Sequence, residues 1–76
     1  MGKKQLKNQE LLDAIVSLIK QLRDEKGLTQ EDVYNDTGIH IARIETGKAN
    51  ISISTLSQIV SYFELNLEQF FGKIKA

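Results

Sequence analysis

Arg43 carries the group in this sequence best suited to selective recognition, because its planar guanidinium presents a rigid fork of donors. Such a fork takes a flat acceptor two bonds at a time, whether a carboxylate, a phosphate or the edge of a guanine. His40 is the only histidine; it can donate to a phosphate or a base, or merely cover a helix surface. A metal centre needs three or more ligands, and one histidine with no cysteine falls short, so neither a metal nor a cofactor is expected. Catalysis is no better provided for. Asp24 and Glu25 are adjacent and do not face one another on a helix, and no nucleophile stands with a base to activate it. The chain is not expected to be an enzyme.

The 76 residues suffice for one hydrophobic core and leave little room for a deep substrate pocket. With 41% apolar and 26% charged residues, that core can form and stay in solution. A secreted domain of this size would ordinarily carry disulfides, so the absence of cysteine points to the cytoplasm. The stretch Met1 to Lys7 is polar and basic, but the apolar run Ala14 to Ile19 is short and broken by Ser17. No targeting segment and no membrane span is read from it. The net charge is zero, so affinity for a polyanion would have to come from a local arrangement of cations.

Positioning those side chains falls to helices, since proline is absent and glycines 27, 38, 47 and 72 punctuate periodic segments. Leu11, Leu12, Ile15, Leu18, Ile19 and Leu22 recur at spacings of three and four, which predicts a first helix from Asn8 to Lys26. Thr29 with Asp32 opens a brief second helix, closed by the turn formers Asn35, Asp36, Thr37 and Gly38. Thr37 then caps a third helix, Gly38 to Glu45, in which Ile41 and Ile44 share a face and Gly47 ends the element. Ser52 caps a fourth, carrying Ile53, Leu56, Ile59, Val60 and Phe63. Asn66 and Gln69 open a short fifth with Leu67, Phe70 and Phe71. The expected architecture is all-α, one domain over 8–72, with basic, frayed termini at 1–7 and 73–76.

Four stretches in order, Leu22-Arg23, Gly27-Leu28-Thr29-Gln30-Glu31, Ile44-Glu45-Thr46-Gly47 and the patterned run Leu56 to Phe63, resemble the lambda-repressor/Cro-type helix-turn-helix DNA-binding family. The ending Leu65-Asn66-Leu67-Glu68-Gln69-Phe70 looks like that family's last short helix, and the likeness covers about two thirds of the chain. It implies a compact five-helix, lambda-repressor-like domain that binds double-stranded DNA and regulates transcription. Two departures stand out. Members usually place a small residue after the apolar residue of the second helix, where this chain has Tyr34 after Val33. The stretch from there to Ile44-Glu45 is also about three residues shorter than usual. Aligning back from Ile44-Glu45 puts the loss in the second helix and the turn and leaves the third helix intact.

The resemblance implies a reading face on the third helix made of Gly38, Ile39, His40, Ala42 and Arg43. Arg43 would fork onto a guanine, or else pair with Glu45 or an acid of the second helix. Ile39 would touch a thymine methyl, or else belong to the core. Phosphates would be held by Thr29, Gln30, Thr37, Lys48 and Asn50, with capping alone as the plain role of Thr29 and a solvated loop charge that of Lys48. Between Thr29 and Lys48 the acids Glu31, Asp32, Asp36 and Glu45 outnumber Arg43 and Lys48, so Lys20, Arg23, Lys26 and the terminal lysines would have to compensate.

Leu11, Leu12, Tyr62, Phe71 and Ile74 exceed the evident needs of so small a core, and they suit either a homodimer interface or packing within the monomer. A dimer would present two reading helices one DNA turn apart. The alternative is a protein-interaction module such as an antitoxin, with the same scaffold turned toward a protein partner.

Overall fold

The computed structural model of the chain describes residues 8–74. They form α1 (Gln9–Glu25), α2 (Gln30–Thr37), α3 (Ile41–Ile44), α4 (Ile53–Tyr62) and α5 (Leu67–Gly72), as the all-α, five-helix expectation requires. The termini 1–7 and 75–76 lie outside the described residues; Lys73 and Ile74 are described, and Ile74 packs against the core.

Side chains start four of the helices by accepting from otherwise unpaired N–H groups. Asn8 accepts from the Leu11 amide, and Ser52 from that of Thr55. Thr29 with Asp32 and Asn66 with Gln69 form reciprocal capping boxes. α1 stops because Gly27, at φ 68°, turns the chain left-handed, and the Leu28 amide then bonds back to the Arg23 carbonyl. Glu64 makes the same left-handed turn after α4 at φ 65°, with the Leu65 amide on the Val60 carbonyl.

All five helices contribute to one core, where Ile19, Val33, Ile41, Ile59 and Phe70 are each at most 1% exposed. Burying a side chain of this size stabilises by about 1.5 to 3 kcal/mol. That explains α3. Four residues are far too few to hold a helix in water, and Ile41 and Ile44, both buried, hold it by packing instead.

The third helix differs from expectation. It does not run from Gly38 to Glu45, and Thr37 does not cap it. Asn35, Asp36 and Thr37 instead continue α2 to its full eight residues. Thr37 Oγ1 donates to the Val33 carbonyl at 2.7 Å, and the Gly38 amide donates to the Tyr34 carbonyl at 2.7 Å. Gly38 then adopts φ 76°, which a right-handed helix cannot contain, and Ile39 and His40 run as connecting chain. The missing residues are therefore taken from the start of α3, and α2 and its turn keep their length.

Candidate nucleic-acid interface

The C-terminal end of α3 is fastened by a part-buried cluster that joins three elements. Glu45 accepts from Arg23 Nε at 2.9 Å, from Arg23 Nη2 at 3.0 Å and from Gln30 Nε2 at 2.8 Å. Arg23 Nη1 also donates to the Leu28 carbonyl at 2.9 Å. The Glu45 side chain is 3% exposed and that of Arg23 12%, so the pair is strong only because the fork fits both oxygens and the amide of Gln30 adds a third bond. Burial pushes the Glu45 carboxyl up, but the hydrogen bonds from Arg23 and Gln30 and the positive charges of Arg23 and Lys20 outweigh it, leaving it below the usual glutamate range. The same hydrogen bonds hold the Arg23 guanidinium above its ordinary value, against its own desolvation.

This cluster engages three side chains. Glu45 is not available to pair with Arg43, and Arg23 is not a spare cation for phosphate, since both are committed to each other. Gln30, expected at a phosphate, has its amide on Glu45. The signal for the pair was present in the sequence, because Leu22-Arg23 and Ile44-Glu45 are both motif stretches, but nothing in their spacing says that they meet.

Around the turn, Thr37 Oγ1 also accepts from the Ile39 amide at 3.0 Å, so its hydroxyl is occupied on both sides within the fold. His40 is the N-cap of α3 but makes no side-chain capping bond. Its ring lies instead against that of Tyr34, with centroids 4.5 Å apart and planes tilted by 30°. Thr29 accepts from the Asp32 amide, and Asp32 from the Thr29 amide, which places the Asp32 carboxyl below its usual range.

Gly38, Ile39, His40, Arg43 and Asn50 come together along one open groove of about 340 Å³, whose remaining walls are Ile44, Ala49 and Thr55. Arg43 also borders a neighbouring depression of about 230 Å³ with Thr46, Lys48 and Ala49. Arg43 thus stands between the residues expected to read and two of those expected to position. It is exposed and makes no ion pair among the described residues. Ala42 is exposed outside both grooves, and Ile39 is half-buried, packed on the core while lining the groove. Thr29 and Gln30 sit at the start of α2, apart from both. Asp36 is drawn away to α4, where the Tyr62 hydroxyl donates to it at 2.6 Å, and this bond, with some burial, pushes the phenol up to about 12.

Comparison with known proteins agrees with this geometry. The family model described as Helix-turn-helix matches residues 19–70, a span that takes in the Arg23–Glu45 cluster, the turn and both grooves. No curated protein matches the chain. Among solved structures it is similar to the restriction-modification controller protein C.Esp1396I, determined as a tetramer in complex with its natural 35 base-pair operator. The two are 33% identical over 84% of this chain and 88% of that one, with a TM-score of 0.75. With the motif stretches, the helix order and the family match in agreement, the chain belongs to the lambda-repressor/Cro-type helix-turn-helix family of DNA-binding transcription regulators.

Proposed function

We propose that the chain regulates transcription as a homodimer that lays α3 of each subunit in the major groove of a near-palindromic operator, with Arg43 on a base edge. The observation that carries this reading is the exposure of Arg43 in the groove, while Glu45, the nearest acid in sequence, is held by Arg23 and Gln30. A guanidinium with no partner among the described residues keeps its whole fork for a guanine. Gly38, Ile39, His40 and Ala42 complete the reading surface, and Lys48 and Asn50 approach phosphates from the loop after α3. Thr29 and Thr37 shape the element that carries them, and Gln30 does so through Glu45. C.Esp1396I binds its operator as a tetramer, and 35 base pairs span about three helical turns, room for paired half-sites. A regulator of this kind would act in the cytoplasm, on the nucleoid.

The test is selection from a randomised duplex library at about 100 mM salt, followed by a salt titration on the winning site. The expected result is a near-palindrome with half-sites about 10 base pairs apart. Arg43→Ala is expected to lose about 1 to 3 kcal/mol of specific binding and to relax preference at one base pair. Lys48→Ala is expected to weaken every sequence alike and to lower the salt slope by about one. No enrichment and no salt-dependent retention would defeat the proposal, and recovery of one stoichiometric protein partner in place of DNA would favour the interaction module.

A further inference from the structure

In a helix-turn-helix the first residues of the recognition helix meet the base edges. Here that part is short. α2 keeps eight residues, so the chain's loss of about three residues falls on the opening of α3, which shortens the reading element by about 4.5 Å. Of the four residues that remain, Ile41 and Ile44 are buried, and only Ala42 and Arg43 face outward. Two side chains, one of them a methyl group, are a sparse reading surface.

The structure brings another side chain against His40, at the edge of this surface. Tyr34 projects from α2 at a position where a small residue usually lets the two motif helices approach. It is 43% exposed, its ring lies 4.5 Å from that of His40, and its hydroxyl has no hydrogen-bond partner among the described residues. His40 in turn shares its groove with Arg43. A shortened α3 and a large residue on α2 are then two halves of one arrangement, in which the aromatic ring stands beside the chain that would otherwise have been the first turn of the helix.

We infer that Tyr34 is a specificity-determining DNA contact: stacked on His40 beside the truncated start of α3, it presents its phenol to a base edge in the major groove. The ring contact limits the motion of His40, and the phenol supplies a donor and an acceptor of the kind base edges recognise. Reading is therefore shared between α2, through Tyr34, and α3, through Arg43. This rests on the DNA-binding reading above and adds to it a residue and an element that the reading face of α3 does not include.

The experiment compares parent, Tyr34→Ala and Tyr34→Phe on the operator selected by the parent and on a scrambled duplex, with thermal melts alongside. The parent is measured first. If it selects no sequence, the DNA reading fails and this inference with it. If it does select one, Tyr34→Ala is expected to lower the ratio of operator to scrambled affinity about tenfold, with the salt slope unchanged. His40→Ala is expected to lower the same ratio, and the double variant to lose less than the two effects combined, as stacked partners do. A folded Tyr34→Ala protein with the parent's ratio overturns the inference. Should Tyr34→Ala fail to fold, Tyr34→Phe decides: a fall of threefold or more supports the phenol contact, and an unchanged ratio overturns it.

Discussion

Glu45 shows how much of a binding surface is decided by a residue that need never touch the ligand. Its two oxygens face inward to Arg23 and Gln30, and that orientation leaves Arg43 unclaimed. Removing the arginine would strand a buried carboxylate. Arg23→Ala is therefore expected to cost on the order of 3 kcal/mol, which in a domain this small lowers Tm by more than about 12 °C in a thermal melt. The pair also sets the acid limit of stability. Because the folded Glu45 carboxyl lies below the ordinary glutamate range, its contribution is complete above that range and is lost as pH falls through the folded value. Asp32 acts in the same direction through its bond from the Thr29 amide. Tyr62 works at the other end: with its phenol raised to about 12, its contribution holds below the ordinary tyrosine value and is lost as pH climbs from there toward 12. Urea midpoints taken across pH are expected to fall at both extremes, with Glu45→Gln flattening the acid side and Tyr62→Phe the alkaline side.

At the level of elements, the helix starts marked by capping side chains were legible, since α1, α2, α4 and α5 open on Asn8, Thr29, Ser52 and Asn66 as read from the sequence. The turn between α2 and α3 was not. Thr37-Gly38 reads equally well as the cap of a following helix or the end of a preceding one, and the local pattern contains nothing to choose between them. The structure chooses through bonds that run backward, from Thr37 Oγ1 to Val33 and from the Gly38 amide to Tyr34. Gly38 is then required for its positive φ, with no atom within 4 Å of where a Cβ would stand. Gly38→Ala is expected to lose about 1 to 2 kcal/mol in urea unfolding from backbone conformation alone, and Gly38→Asn to lose less. An equal loss for the two would point to a contact instead of the dihedral.

For the whole molecule, the motif order was enough to place the family, because each stretch marks a cap, a turn or a core face that the fold needs. The cluster that joins Arg23 to Glu45 across 22 positions was hidden, since pairing at that distance leaves no periodic trace. The apolar surplus divided in three: Tyr62 and Ile74 pack on the core, Leu12 is half-buried, and Leu11 and Phe71 stay exposed at 42% and 38%. We expect the double change Leu11→Glu and Phe71→Glu to shift the protein to monomers in sedimentation and to weaken operator binding, with the helix content by circular dichroism unchanged and the melting temperature lowered by the loss of association; a persisting dimer would place the interface elsewhere. One last consequence follows from where α3 is fastened. It is braced at both ends, at its C-terminus by the Glu45 cluster and at its start by buried Ile41 and the contact of Tyr34 with His40, so a residue gained or lost at the start alters its reach by about 1.5 Å. The length of α3 at its start thus sets how far its side chains reach, while the core behind them stays the same.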